Sequence, residues 1–191
     1  MQALVRKGMD VDAVDSMGNL PIAWALRAKD DRFLSQREAC ALFLLEAGAT
    51  WRGLVPTGSP HKSTVLRVAA AARCVRVMMW LLRRMRAEGM DRGRLLGAME
   101  DAAGGAVYAG ALVSLRALAE KGVDVKSARV TVIDGAGRSI SIALLNRTAE
   151  RGHKDIVEFL VEQGCDPLAI ADSTGLMPHH SAYRGHVAIL E

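Results

Sequence analysis

The chain has 191 residues, half of them apolar, only 4% aromatic, and a formal net charge of +4. That length suits one domain or slightly more, and its core must come from Ala, Leu and Val, the small and branched side chains that closely stacked helices need. The longest uncharged stretch, Ala102 to Leu115, is broken four times by Gly or Ser and falls short of the ~20 apolar residues a membrane span requires.

In chain order, Ala3-Leu4-Val5-Arg6-Lys7-Gly8 reads as the last turn of a helix whose partner is missing. Gly8, Gly48, Gly89, Gly122 and Gly164 each follow an apolar helical run, where a glycine takes the left-handed conformation that ends a helix. Pro21 and Pro178 suit first helical positions, since proline has no N–H to satisfy there. Ala28 to Gln36, with Lys29, Asp30, Asp31 and Arg32, reads as a charged surface insertion between two helices. Thr64 caps a helix holding Leu66, Val68, Ala69 and Ala70. Val77, Met78, Leu81, Leu82 and Met85 then keep a 3.6-residue rhythm. Arg83 to Arg86 lengthen that helix by about one turn. Met78, Met79, Met85, Met90 and Met99 fill the core by this spacing, the other reading being an adaptable binding surface. Arg92 to Gly110 has the length of a helix, weakened at Gly104-Gly105 by roughly 1 kcal/mol per Gly relative to Ala. The chain closes at Ile189-Leu190-Glu191, the beginning of another helix. Neither end has the polar face that caps a free-standing array, so the expectation is a piece of a longer protein.

One phrase returns after 33 residues: Gly152-His153-Lys154-Asp155-Ile156-Val157, then Gly185-His186-Val187-Ala188-Ile189. Such a period belongs to stacked repeats. With Gly8-Met9-Asp10-Val11-Asp12 leading to Gly18-Asn19-Leu20-Pro21, with Gly122-Val123-Asp124-Val125, and with Ala149-Glu150-Arg151-Gly152-His153 followed by Ile156-Val157-Glu158-Phe159-Leu160, the chain resembles the ankyrin-repeat family. The resemblance implies an all-α solenoid of about five helix-turn-helix pairs joined by short hairpin-like loops. It divides 1–191 as a single array into a partial repeat 1–12, then 13–52, 53–91, 92–126, 127–168 and a partial repeat 169–191. It also implies recognition of another protein through hairpin tips and the concave face of the first helices. Carried over by position, the contact sites are Ser16, Met17 and Asn19 in one hairpin, Arg138 in a second, and Ser173, Thr174 and Leu176 in a third. Glu150, Arg151 and Arg184, at the ends of first helices, extend that strip; the plain alternative is that all of these are simply exposed. His153 and His186 are the family's Gly-His, fixing turns between helices.

Sequence chemistry is mostly negative. Gly53 and Gly58 are followed by Ser59-Pro60 where a phosphate loop needs Lys and Ser or Thr, and Gly135-Ala136-Gly137 lies where a repeat hairpin belongs. His153, His179, His180 and His186 lack metal-ligand spacing. No catalytic residue, cofactor, metal or small-molecule ligand is expected. Cys40, Cys74 and Cys165 are odd in number and unclustered, which suits reduced thiols in the cytoplasm or nucleus. Between Arg67 and Arg94 eight arginines face only Glu88 and Asp91. Arg83, Arg84 and Arg86 at its centre read either as a solvated helix face or as a docking patch for an acidic protein; nucleic acid or phospholipid is the weaker partner, with few aromatics nearby for stacking. The expected function is a protein–protein interaction or scaffolding module of a larger intracellular protein, the alternative being a regulatory or substrate-recruiting segment of an enzyme whose catalytic domain lies elsewhere.

Overall fold

The computed structural model describes residues 8, 10–27, 31–52, 54–56, 62–133, 137–168 and 177–191. Within them the chain forms five helix pairs. Helix α1 (Pro21–Arg27) is followed by a 3-10 turn (Asp31–Phe33) and α2 (Leu34–Glu46). Next come α3 (Val65–Ala71) with α4 (Val75–Ala87), and α5 (Arg92–Ala109) with α6 (Leu112–Glu120). Then α7 (Leu144–Arg151) pairs with α8 (Lys154–Glu162), and α9 (Met177–Arg184) with α10 (Val187–Leu190). Two of the connections are regular antiparallel hairpins. In one, β1 (Leu54–Pro56) pairs with β2 (Lys62–Thr64), placing Val55 opposite Ser63. In the other, β3 (Arg129–Ile133) pairs with β4 (Ser139–Ala143), placing Thr131 opposite Ser141. Each hairpin runs directly into a first helix, α3 or α7.

Local chemistry sets the helix limits. Pro21 opens α1, and Thr64 Oγ1 accepts the Arg67 N–H at 3.1 Å, satisfying one donor that the first turn of α3 leaves without an intrahelical partner. Pro178 is the second residue of α9, still within the turn where an absent N–H goes unmissed. After α2, α4, α6 and α8 the chain turns at Gly48, Gly89, Gly122 and Gly164, all with positive φ. The residue after each reaches back into its helix, as Ala49 N–H does to Leu44 O at 2.9 Å and Cys165 N–H to Leu160 O at 3.0 Å. Between α3 and α4 the corresponding position is Arg73, whose φ of 62° is strained for a residue with a Cβ.

The charged insertion ends differently from its surface-loop reading. Residues 28–30 lie outside the described residues, and Leu34 to Gln36 belong to α2. Just beyond them, Arg37 and Glu38 are buried. Arg37 donates to Leu26 O at 3.2 Å and Ala25 O at 3.3 Å, closing the end of α1. Glu38 Oε1 accepts the Arg76 N–H at 2.9 Å, capping α4 from the neighbouring pair.

First helices α1, α3, α5, α7 and α9 lie side by side; second helices α2, α4 and α6 do the same, and α10 lies beside α8. One continuous core runs from Ile22 to Met177. Each fully buried Leu in it, such as Leu66, Leu81, Leu115 or Leu144, contributes about 1.5–3 kcal/mol relative to exposure. Ala69, Ala70, Ala102, Ala103, Ala106 and Ala149 have no exposed surface and let the first helices approach closely. Gly104 and Gly105 sit inside the uninterrupted α5. A Cβ on Gly105 would lie 2.7 Å from the Arg67 carbonyl oxygen, and one on Gly104 would lie 3.0 Å from Val130 Cγ1. The glycine pair seats α3 and β3 against α5. Met78, Met85 and Met99 are buried, and Met79 and Met90 pack against the same core.

Candidate functional site

The turn before α1 is built around one carboxylate. Asp15 Oδ1 accepts the backbone N–H groups of Met17 and Asn19, each at 2.8 Å, and both Asp15 oxygens meet the Asn19 amide. The Trp24 indole N–H donates to Oδ2 at 2.7 Å. The Asn19 backbone and side-chain bonds, followed by that of Trp24, hold the Asp15 carboxyl well below the usual carboxylate range. Ser16 and Met17 stay exposed, whereas Asn19 is 2% exposed. Asn19 therefore shapes the turn from inside and does not face a partner, a correction to its reading as a contact residue. Arg138 is exposed beside β4. Ser173, Thr174 and Leu176 lie outside the described residues.

Glu150, Arg151 and Arg184 converge at the far end of the first helices. Hairpins enter α3 and α7 at their N-termini, while Glu150 and Arg151 close α7 and Arg184 closes α9. The length of an eight-residue helix, about 12 Å, separates the hairpin end from this one. Here Arg147, Glu150, Arg151, Arg184 and His186 line a cleft of about 410 Å³. Glu150 bridges Arg147 and Arg184, the latter at 2.8 Å. Burial pushes the Glu150 carboxyl up, but hydrogen bonds from Arg184 and Arg147 outweigh it and hold the group below its ordinary value. The Arg151 guanidinium lies 3.6 Å from the centre of the Tyr108 ring, and that of Arg147 lies 5.7 Å from it. Arg147 Nε is buried with no acceptor among the described residues; a buried donor left so costs about 1–3 kcal/mol, more when charged.

Two histidines frame this end of the stack. His186 Nε2 is 3.1 Å from the Glu150 carbonyl oxygen, and His153 Nε2 is 3.5 Å from that of Tyr108. A carbonyl only accepts, so Nε2 carries the proton in both contacts. The rings stand over the left-handed turns of the preceding pair: a Cβ on Gly110 or Gly152 would come within 2.8 or 2.6 Å of them. Tyr108 and Arg147 are the members of this cluster that sequence reading passed over. Alignment on the helix-ending glycines finds the first, because Tyr108, Glu150 and Tyr183 all stand two residues before Gly110, Gly152 and Gly185.

Part of the arginine run is engaged in ion pairs. Arg67 on α3 pairs with Asp101 of α5 at 2.7 Å and also donates to the Asp101 carbonyl. Arg84 meets Glu88 at 2.8 Å, and Arg52 reaches the same carboxylate. Hydrogen bonding from Arg52 is the foremost cause that lowers the Glu88 pKa. Arg94 pairs with Asp91 at 3.3 Å. Arg83 and Arg86 are exposed on α4 without an ion-pair partner among the described residues.

Among the described residues no group of three or more His, Cys, Asp or Glu is placed to hold a metal ion, and no helix is long and apolar enough to cross a membrane. Cys40, Cys74 and Cys165 are free thiols.

Residues 143–172, covering the end of β4, α7 and α8, match the family model for the ankyrin repeat. In structure, 235 solved chains match it. One is the crystal structure of the human ASB11 ankyrin repeat domain, with a TM-score of 0.64 and 19% sequence identity over 99% of this chain and 74% of that one. No curated protein matches the chain in sequence.

Proposed function

We propose, starting from a chain with the fold of an ankyrin-repeat array and one segment that matches that repeat's family model, that this protein is a recognition module of a larger intracellular protein and holds its partner along the hairpins and the exposed side of the first helices. Ankyrin repeats are generally protein–protein interaction modules and typically do no chemistry. The observation that carries the finer reading is an exposed aromatic ring with a guanidinium over it on three of the first helices. Trp24 of α1 is 53% exposed, with Arg27 at 5.1 Å from its ring centre. Tyr108 of α5 is 51% exposed beneath Arg151, and Tyr183 of α9 is 84% exposed, with Arg184 at 5.5 Å. Trp, Tyr and Arg are the side chains that dominate binding energy at protein interfaces. A ring already held by a cation has less rotamer freedom to lose when a partner arrives.

The test is affinity capture from a nuclease-treated lysate at about 150 mM salt, where exposed charges are largely screened beyond ~8 Å. Three baits are compared: wild type, Trp24→Ser/Tyr108→Ser/Tyr183→Ser, and Arg83→Glu/Arg84→Glu/Arg86→Glu. The expected result is a protein retained by wild type and by the arginine variant, and lost by the aromatic variant. Loss with the arginine variant alone would move the interface to α4 and overturn this reading.

A further inference from the structure

We infer that the cleft between the ends of α7 and α9 is a carboxylate subsite, which takes a pair of adjacent acidic side chains from an extended segment of the partner protein; this rests on the protein-recognition reading above. Three guanidiniums line the cleft against one carboxylate, Glu150. Glu150 occupies Arg147 and Arg184, and none of the described carboxylates pairs with Arg151. The buried Arg147 Nε–H has no acceptor among the described residues. The cleft thus has two positive charges beyond what its own carboxylate balances, and a buried donor still to be matched. Planar guanidiniums bind carboxylates in a two-pronged way, which fixes geometry as well as charge.

The surroundings favour a peptide over a free anion. Arg151 rests on the half-exposed Tyr108 ring, and Arg184 lies over the exposed Tyr183 ring next to it in sequence. An apolar side chain flanking an acidic pair has a ring to pack against, whereas inorganic phosphate has no use for one.

The experiment uses the full chain labelled with nitrogen-15 and follows arginine Nε–H signals during titration with acetyl-Leu-Glu-Glu-Leu-amide, acetyl-Leu-Gln-Gln-Leu-amide or inorganic phosphate. The expected result is a saturable shift of the Arg147 and Arg151 signals by the Glu peptide, none by the Gln peptide, and binding about tenfold weaker in Arg151→Gln and in Arg184→Gln. Both substitutions lie at helix ends on exposed or half-exposed residues, so backbone spectra of the variants should match wild type. Equal shifts by the Gln peptide, or unchanged binding in both variants, would overturn the inference. Phosphate saturating the same signals at lower concentration than the Glu peptide would also overturn it and assign the cleft to phosphate. Capture from lysate with Arg151→Gln/Arg184→Gln separates the two readings: a partner retained by this variant but lost by the aromatic one removes the cleft and leaves the recognition surface in place.

Discussion

Replacing Gly105 with Ala sets two physical effects against each other. Ala is the better helix former by about 1 kcal/mol, and Gly105 lies deep inside the 18-residue α5, so propensity alone makes the substitution stabilising. The structure reverses the sign. The new Cβ would lie 2.7 Å from the Arg67 carbonyl oxygen and 2.8 Å from Arg67 Cγ. The side chain can swing away, but the oxygen belongs to the backbone of α3 and moves only if the two helices part. Overpacking of this kind costs about 1–3 kcal/mol, and contact with backbone places it toward the upper end. After the propensity gain, a net loss of about 1–2 kcal/mol remains. For a chain of this size that lowers the melting temperature by roughly 2–8 °C. Gly104→Ala is the milder comparison, because its Cβ meets side-chain atoms only, Val130 Cγ1 at 3.0 Å and Arg67 Nη1 at 3.2 Å; its loss is expected to be smaller than that of Gly105→Ala. Thermal and urea unfolding followed by circular dichroism decide the matter. A Gly105→Ala protein as stable as wild type, or more so, would refute the close-approach argument.

Two further outcomes follow from hydrogen bonds between distant parts of the chain. Glu38→Ala removes the acceptor that caps α4 from α2; the expected loss is about 0.5–2 kcal/mol, with faster amide exchange at Arg76 and its neighbours as the local signature. Asp15 is held below its ordinary pKa by the Asn19 and Trp24 donors. The stability it gives is therefore complete above the unfolded value of ~3.9 and is lost as pH falls through the folded value. In a Trp51→Phe/Trp80→Phe background, Trp24 emission should hold steady from neutral pH through the ordinary carboxylate range near ~4 and change only well below it. Asp15→Asn should change that emission already at neutral pH, and identical neutral spectra would count against the turn described for Asp15.

Periodic and local signals were legible in the sequence. Gly48, Gly89, Gly122 and Gly164 end helices with positive φ, and Thr64 caps α3, because both effects act within a few residues. Effects that need a partner were not legible. Gly104-Gly105 reads as a weakness until α3 and β3 are placed against it. Arg37 and Glu38 look like surface charge until the ends of α1 and α4 arrive to be closed. Asn19 reads as a loop tip, yet its amide turns inward to Asp15. At the cleft, sequence position singled out Glu150, Arg151 and Arg184 separately. Their meeting with Arg147 and His186 depends on the offset between neighbouring helix pairs, which no single repeat encodes.

The contacts of His153 with Tyr108 and of His186 with Glu150 all point one way along the chain: the later residue finishes the helix end of the earlier pair. Synthesis proceeds in the same direction. Helices α5 and α7 therefore leave the ribosome with an open carbonyl end and wait for a histidine 45 or 36 residues downstream. At ~5–20 residues per second that interval is roughly two to nine seconds. During it the newest pair is the loosest part of the nascent array, and the place where a chaperone or protease has its opportunity.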